Sequence, residues 1–332
     1  MLTGLRTGRS LTAAMPDATA TSLRRVPAVW ARLLRVHQWS KNLLLLVPPL
    51  GAHRLSPDVL GPAVVGVAAF SLAASSAYVV NDLLDLEADR AHPLKSRRPL
   101  AAGEISPAAA LTVAAAALLT AFGLALTAGP AFLGALCIYW ITTIAYSLRL
   151  KRVAVLDVLV LASLYTLRIL AGTLATGVPT SSWLFTLAIF LFLSLALVKR
   201  TSELRRMSAE GTATPPPSEN GDRVAGGNGH LLARGRGYST GDLEILSMLG
   251  VASGLVAVLV LALYVASGDV VRLYAHHERL WLLCPLALYW VSRIWLLARR
   301  GLVDEDPVLF ALRDRPSWIV GALAAAVVVA GS

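Results

Sequence analysis

Oxygen-bearing side chains recur every four residues at the end of one apolar run, at Asn81, Asp85 and Asp89. On a helix, this spacing places them along one face. Mg²⁺ prefers oxygen ligands and takes a few of them together with substrate phosphates. The pattern therefore predicts a magnesium site. A solvated, negatively charged helix end is the alternative that the pattern alone leaves open.

A basic loop follows these acids directly. Its candidate substrate-binding residues are Arg90, His92, Lys95 and Arg98. Cations that hold phosphate oxygens, beside carboxylates that hold Mg²⁺, form a diphosphate site. The alternative is that the positive charge only keeps the loop on the cytoplasmic side of a membrane, although topology does not require the adjacent acids.

Two charged residues, Asp157 and Arg168, lie inside a later apolar run. Leaving either charge in lipid would cost at least about 2.5 kcal/mol, so both side chains should face the interior of a helix bundle. On one straight helix they would be roughly 16 Å apart, and they should therefore pair with other groups. Both are candidates for chemistry, and a structural network that locks helices together is the alternative.

Further candidate substrate-binding residues flank the apolar runs. They are Lys41, Tyr78, Tyr146, Lys151 and Lys199. Lys41 could bind an anionic head group, but the segment around it could equally be a membrane anchor. Lys199 could instead pair with Glu203, four residues later on the same helix.

The elements that position these residues are predicted to be membrane helices. Of the 332 residues, 56% are hydrophobic and 15% are charged, whereas soluble domains carry about 25% charge. A spanning helix needs about 20 mainly apolar residues. The first predicted span contains Pro48-Pro49 and should be broken or tilted. The sequence predicts nine spans, at 42–55, 62–80, 107–126, 130–147, 153–175, 182–198, 243–267, 280–298 and 317–331.

Positive charge is distributed unevenly between the two sides of this predicted bundle. The net charge is +10, and 25 of the 30 Lys and Arg residues fall in segments on the side of the amino terminus, against three on the other side. Lys and Arg are enriched in cytoplasmic loops. We therefore expect a multi-pass protein of the cell (inner) membrane, with its amino terminus and active site facing the cytoplasm. Charges placed in this way do not indicate a nucleic-acid partner.

The sequence predicts one folded domain with two flexible segments. Residues 1–28 are expected to form a disordered cytoplasmic arm. Residues 29–331 form a single transmembrane domain, within which 208–237 is a flexible cytoplasmic loop rich in proline and glycine. Close helix contacts are expected at glycines in the spans, namely Gly51, Gly123, Gly172 and Gly254.

At the acidic residues the chain resembles the UbiA superfamily of membrane prenyltransferases. The second acidic region of that family corresponds to Asp157, but Leu161 stands where members often carry another aspartate. The resemblance implies an all-α integral membrane protein with a nine-transmembrane-helix UbiA-type bundle. The family motif Asn-Asp-x-x-Asp-x-x-x-Asp is matched by Asn81, Asp82, Asp85 and Asp89.

Within that superfamily the chain is similar to the decaprenyl-phosphate phosphoribosyltransferases, from about residue 30 to about residue 205. This resemblance implies transfer of 5-phosphoribosyl from 5-phosphoribosyl 1-diphosphate to a polyprenyl phosphate, with release of diphosphate. Mg²⁺ would be held by Asn81, Asp85 and Asp89, and the catalytic residues would be Asp85, Asp89 and Asp157. The motifs that carry the similarity include His37-Gln38-Trp39-x-Lys41-Asn42, Asp89-Arg90-x-His92-Pro93-x-Lys95-x-x-Arg98-Pro99 and Leu167-Arg168-x-x-Ala171-Gly172.

Two other functions remain as alternatives. Transfer of a prenyl group from a prenyl diphosphate to an aromatic acceptor would use the same fold, but the missing second Asp-x-x-x-Asp counts against it. A transporter or lipid-binding protein would carry charges near the bilayer midplane in several helices, whereas here they gather toward one face. The sequence leaves homo-oligomerisation open.

Overall fold

Helices account for the regular structure of the described residues. The computed structural model describes residues 18–179, 181–210, 237–303 and 306–332, and within these ranges it contains no β-strand. The all-α fold predicted from sequence is confirmed over this part of the chain. The α-helices are α1 (Ala18–Leu33), α2 (Val47–Gly51), α3 (Pro57–Leu84), α4 (Leu86–Ala91), α5 (Pro107–Thr127), α6 (Pro130–Leu148), α7 (Leu156–Thr176), α8 (Ser182–Glu210), α9 (Leu243–Val265), α10 (Gly268–Leu273), α11 (Leu283–Arg299), α12 (Pro307–Arg313) and α13 (Arg315–Gly331). Shorter 3₁₀ helices cover Val36–Leu46, Lys95–Arg97, Leu150–Arg152, Thr240–Asp242 and His277–Leu282.

Most of the two segments predicted to be flexible lies outside the described residues. These parts are residues 1–17 of the arm and residues 211–236 of the loop. Residues 18–28 of the arm and 208–210 of the loop are helical, since α1 begins at Ala18 and α8 continues to Glu210.

Seven helices of the described chain are long and apolar enough to cross a membrane. They establish a multi-pass membrane protein, but the predicted count of nine spans is not confirmed. Helices α12 and α13 meet at an angle of 82°, and they make an eighth span only if the two together are counted as one bent span. The seven are Pro57–Leu84, Pro107–Thr127, Pro130–Leu148, Leu156–Thr176, Ser182–Ser208, Thr240–Val265 and His277–Arg299.

The first predicted span, 42–55, is replaced by two short elements. A 3₁₀ helix over Val36–Leu46 leads into α2, which begins just before Pro48 and Pro49. Proline lacks the N–H that would continue a preceding helical ladder, so it favours a new helix start over an uninterrupted helix. The 3₁₀ segment carries Lys41 and Asn42 toward the centre of the bundle.

Two apolar cores hold the bundle together. One joins α7, α8, α9 and α11 and includes Ile294 and Trp295. The other joins α3, α5, α6 and α7 and includes Phe70 and Phe132. Because α7 contributes side chains to both cores, it fixes the two halves of the bundle against each other.

Close contact at glycine occurs at two of the four predicted positions. A Cβ added at Gly172 would lie 2.2 Å from the carbonyl oxygen of Leu45, so this glycine lets the 3₁₀ segment pack against α7. A Cβ at Gly254 would lie 2.5 Å from a methyl group of Val291. At Gly51 and Gly123 nothing lies within 4 Å of the added atom.

Candidate active site

A polar cavity of about 310 Å³ lies among the 3₁₀ segment Val36–Leu46 and helices α3, α6, α7, α8 and α12. Its described lining contains seven basic side chains and two acidic ones. A polyanionic ligand is therefore favoured electrostatically. The basic residues are Arg35, Lys41, Lys95, Arg98, Lys151, Arg168 and Lys199, and the acidic ones are Asp85 and Asp306.

Most of the residues singled out in the sequence meet at this cavity. Four of them do not line it. Asp89 and Asp157 are buried behind the wall, while Arg90 and His92 are exposed at the end of α4. His92 Nδ1 accepts the backbone N–H groups of Leu94 and Lys95, so it shapes the basic loop. The cavity-lining set is Lys41, Tyr78, Asn81, Asp85, Lys95, Arg98, Tyr146, Lys151, Arg168 and Lys199.

The acidic motif lies at a helix break. Helix α3 ends at Leu84 and α4 begins at Leu86, with Asp85 between them at φ −94° and ψ 10°. The Asp85 carboxylate lines the cavity with 41% of its side chain exposed, and its Oδ2 is 3.9 Å from Lys151 Nζ. Asn81, one turn earlier, lines the same wall. Two oxygen-bearing side chains of the motif thus face the cavity directly.

The other two acids of the motif are held by arginines. Arg98 donates from Nη1 to Asp82 at 3.0 Å and to Asp89 at 2.6 Å, and Arg35 donates to Asp82 at 2.6 Å. Asp82 is 3% exposed and Asp89 is 2% exposed. Buried carboxylates require such partners. This network therefore fixes the basic loop against the end of α3.

The donors present fit Mg²⁺ as an ion that shares its ligands with a phosphate. Asn81 and Asp85 offer oxygens to the cavity, whereas the Asp89 carboxylate is occupied by Arg98 and has Lys95 at 3.9 Å. Within the described ranges, no group of three or more His, Cys, Asp or Glu side chains forms a ready-made metal cage. Mg²⁺ is commonly bound by one or two carboxylates, with substrate phosphates and water completing its shell. Asn81 and Asp85 meet that requirement. Asp89 would become a ligand only if its carboxylate gave up the hydrogen bond from Arg98 and bound the metal instead.

A second polar group lines the same cavity. Lys41 forms an ion pair with Asp306 and lies 5.8 Å from the ring centroid of Tyr165. Asp306 also accepts the N–H groups of Val308 and Leu309, which caps α12. Burial acts to raise the pKa of Asp306, but the Lys41 ammonium, together with the Lys199 charge and the backbone N–H of Leu309, outweighs it and holds this pKa below its ordinary value. The carboxylate is therefore charged at neutral pH, and it anchors Lys41 at the cavity wall.

Arg168 is held by neutral partners. It donates to Asn42 Oδ1 at 2.9 Å, to the Tyr139 hydroxyl at 2.9 Å and to the carbonyl of Leu164 at 2.6 Å. Its guanidinium is 5.3 Å from the ring centroid of Tyr165. The sequence-based expectation that Arg168 faces the interior and pairs with groups other than Asp157 is confirmed.

Asp157 belongs to a buried network outside the described cavity lining. It forms an ion pair with Arg200, and the two side chains are 0% and 1% exposed. The Tyr238 hydroxyl donates to Asp157 Oδ1 at 2.5 Å, and the N–H of Val158 donates to the same oxygen at 2.8 Å. Arg200 also pairs with Glu203, the residue that sequence had suggested as a partner for Lys199. The structure thus places Asp157 in a helix-locking arrangement, which was the alternative to direct chemistry.

A profile of the UbiA prenyltransferase family matches residues 49–313. The chain belongs to this family. Members of this family are prenyl or pentosyl transferases.

Similar proteins differ in how much of their length this UbiA-family chain covers. It is 39% identical over 304 residues to the uncharacterized protein y4nM of Sinorhizobium fredii, covering 90% of this chain and 55% of that protein. It is 30% identical over 285 residues to the nodulation protein NoeC of Azorhizobium caulinodans, covering 86% and 87%. It is 36% identical over 187 residues to the decaprenyl-phosphate phosphoribosyltransferase of Mycobacterium tuberculosis, covering 55% and 62%. The chain thus spans about half the length of y4nM.

Solved structures show the same fold. A UbiA homolog from Archaeoglobus fulgidus, bound to GPP and Mg²⁺, matches with a TM-score of 0.63 at 20% identity, covering 91% of this chain and 98% of that one. A digeranylgeranylglyceryl phosphate synthase matches with a TM-score of 0.59 at 15% identity, covering 92% and 97%. The arrangement of helices described above is therefore that of UbiA proteins.

Sequence reasoning missed several residues of the UbiA-type cavity. These are Arg35, Tyr139, Tyr165 and Asp306. The sequence offers a signal for two of them. Arg35 lies two residues before the motif that begins at His37, and the Asp306-Pro307 pair is a typical start of a helix. Neither signal indicates a cavity, because the partners Asp82 and Lys41 lie 47 and 265 residues away in sequence.

Proposed function

We propose that the protein transfers the 5-phosphoribosyl group of 5-phosphoribosyl 1-diphosphate to a polyprenyl phosphate, with Mg²⁺ as cofactor and diphosphate as the other product. The observation that carries this proposal is the excess of basic side chains in the polar cavity. The proposed donor brings a diphosphate and a 5-phosphate, and the acceptor brings a third phosphate group. A prenyl diphosphate would bring only one diphosphate.

Five of the seven basic residues fall into two groups that suit this distribution of phosphates. Lys95, Arg98 and Lys151 lie beside the acidic motif, within 3.9 Å of the Asp85 or Asp89 carboxylates. Lys41 and Arg168 form the second group, in which both approach the Tyr165 ring. Lysine and arginine bind phosphate oxygens through charge-assisted hydrogen bonds. The first group would hold the leaving diphosphate, and the second would hold the ribose 5-phosphate or the lipid phosphate.

The residues support a direct displacement at C1 of the ribose. A phosphate oxygen of the lipid forms the new bond to C1 while the bond from C1 to the diphosphate oxygen breaks. The acceptor phosphate is already anionic, so the reaction needs no strong base from the protein. Lys95, Arg98 and Lys151 receive the diphosphate as negative charge develops on it. Mg²⁺, held by Asn81 and Asp85, would supply further neutralisation of that charge.

An apolar cavity next to the polar one supports a lipid substrate. It has a volume of about 770 Å³ and lies between α9, α11, α12 and α13. Val308 lines both cavities. A phosphate bound near Lys41 would therefore place the start of its hydrocarbon chain close to this apolar cavity.

The deciding experiment uses purified protein in detergent with Mg²⁺, decaprenyl phosphate and radiolabelled 5-phosphoribosyl 1-diphosphate. We expect label to enter the lipid fraction. A parallel assay uses a radiolabelled prenyl diphosphate and an aromatic acid. If label enters the aromatic acid in that assay and no label enters the lipid fraction in the first, the protein is an aromatic prenyltransferase instead.

Two neighbouring basic residues provide a matched pair of variants. Lys95 lines the cavity, whereas Arg97, on the same short 3₁₀ helix, is exposed and does not line it. Loss of one charge-assisted contact weakens binding by about tenfold. We expect Lys95→Gln to raise KM for the labelled donor by about that factor, and Arg97→Gln to leave it unchanged. Equal effects of both substitutions would contradict the assignment of the cavity.

A further inference from the structure

The segment that follows residue 236 is anchored against the turn that precedes α7. Tyr238 is 2% exposed. Its hydroxyl donates to Asp157 Oδ1 at 2.5 Å and accepts the backbone N–H of Val155 at 2.7 Å. A Cβ added at Gly237 would lie 2.7 Å from the carbonyl oxygen of Arg152. Residues 237 and 238 are therefore fitted tightly onto the backbone of this turn.

The turn contains a strained residue at the point where Tyr238 binds. Val155 has φ 65° and ψ −44°, and the N–H of Leu156 donates to the carbonyl of Ala154 at 2.8 Å. This is a γ-turn of the rare, strained type, in a β-branched residue that strongly disfavours positive φ. Such a conformation persists only where its surroundings determine it. Tyr238 contributes to this by accepting the N–H of the strained residue itself.

The same turn presents Lys151 to the active-site cavity. Lys151 lies in the 3₁₀ helix Leu150–Arg152, which ends three residues before the strained Val155. Its Nζ is 3.9 Å from Asp85 Oδ2, and its side chain lines the cavity. The conformation of the turn therefore sets where this ammonium group lies relative to the acidic motif.

The buried ion pair between Asp157 and Arg200 keeps Tyr238 in place. Asp157 receives Arg200 on Oδ2 and Tyr238 on Oδ1. Burial, together with the hydrogen bond to Asp157, raises the pKa of Tyr238. The phenol therefore keeps its proton at physiological pH and remains a donor to the carboxylate.

From these contacts we infer that Tyr238 is a positioning residue, which acts through the strained turn to place Lys151 where it binds a diphosphate group. This inference deepens the proposed function. It rests on that function in one respect, the assignment of a diphosphate group to the site. The same requirement would hold for a prenyl diphosphate, so the inference can be tested without knowing which donor the enzyme uses.

The test measures binding of inorganic diphosphate, in the presence of Mg²⁺, to the full chain in detergent by titration calorimetry. Tyr238→Phe keeps the ring and removes both hydrogen bonds of the hydroxyl. We expect it to weaken binding by about tenfold, the size of one charge-assisted contact. Lys151→Gln should weaken binding at least as much. The double variant should be no weaker than Lys151→Gln alone, because residues that act through one another are not additive.

Tyr274→Phe is the matched control. Tyr274 is also buried, at 7% exposure, but it packs against His53 and does not line the polar cavity. Diphosphate affinity should not change in this variant. The inference would be overturned if Tyr238→Phe bound diphosphate normally, if Lys151→Gln did so, or if the effects of the two substitutions multiplied in the double variant. Failure of phosphoribosyl transfer would instead count against the proposed function alone.

Discussion

Asp85 differs from the acids beside it in what its carboxylate contacts. Asp82 and Asp89 are buried and bound to Arg98. Asp85 is partly exposed to the cavity, and its Oδ2 is 3.9 Å from Lys151 Nζ. It is therefore the motif carboxylate that can meet a metal–diphosphate complex without breaking a buried ion pair.

Replacing this carboxylate should impair turnover without unfolding the protein. We expect Asp85→Asn to lower kcat/KM for transfer by about 100-fold or more, since it removes charge stabilisation at the leaving group. Glu87→Gln, an exposed acid in the same segment, serves as the control and should retain activity. Comparable activity in both variants, measured with the labelled donor, would show that the metal assignment is wrong.

The Arg200 side chain tests the stability of the buried network. Arg200→Met leaves Asp157 buried without its cation, which typically destabilises a protein by about 3 kcal/mol or more. Arg206→Met, at an exposed position of the same helix, should cost less than about 1 kcal/mol. Thermal unfolding in detergent measures both. A second substitution, Asp157→Asn, should restore most of the lost stability, and a further loss would contradict the pairing.

At the scale of residues, local spacing predicted much of the lining of the cavity. Asn81 and Asp85 were predicted from their four-residue spacing on a helix. The helical geometry extends as far as Asp85, because its N–H still donates to the carbonyl of Asn81 at 3.0 Å. Spacing carries no information on burial. It therefore could not show that Asp85 faces the cavity while Asp89 is buried. Asp306 was missed because its partner Lys41 is distant in sequence.

At the scale of elements, the contact between α7 and the segment Val36–Leu46 depends on one glycine. Gly172→Ala would place a methyl group 2.2 Å from the backbone oxygen of Leu45, and a backbone atom cannot rotate away. We expect a destabilisation of about 1–3 kcal/mol, as for other overpacked sites, and a loss of activity because Lys41 and Asn42 shift with the segment.

Gly123→Ala is the corresponding control, because nothing lies within 4 Å of the added methyl group. In the interior of a helix, alanine is preferred to glycine by about 1 kcal/mol. Unfolding measurements should therefore show unchanged or slightly higher stability for this variant. A Gly172→Ala protein as stable and active as this control would contradict the close packing of the two elements.

Apolar runs predicted the long helices well and the ends of the bundle poorly. The run at 42–55 has the hydrophobicity of a span, but the chain forms a 3₁₀ helix and α2 there. The run at 317–331 becomes α13, which meets α12 at 82°. Hydropathy measures how much apolar surface is available and carries no information on the direction of successive helices. Such bends depend on tertiary contacts, including the Asp306 cap of α12.

At the scale of the whole molecule, the charge distribution predicts which side of the membrane the cavity faces. Arg97, in the basic loop, and Glu278, between α9 and α11, are both exposed. In a background where Cys137 and Cys284 are replaced by serine, Glu278→Cys should react with an impermeant maleimide added to intact spheroplasts. Arg97→Cys should react only after permeabilisation. Labelling of Arg97→Cys from outside would reverse the proposed orientation.

The ion pair between Lys41 and Asp306 has a consequence for how the protein is made. Its two residues are separated by 265 positions, so the pair cannot form until the ribosome has delivered nearly all of the helices. Contacts of such long range form late, because the intervening chain must first be ordered. A partly inserted chain therefore presents Lys41 without its carboxylate partner. The start of α12 supplies that partner, so a wall of the polar cavity is completed only when the last part of the chain has been made.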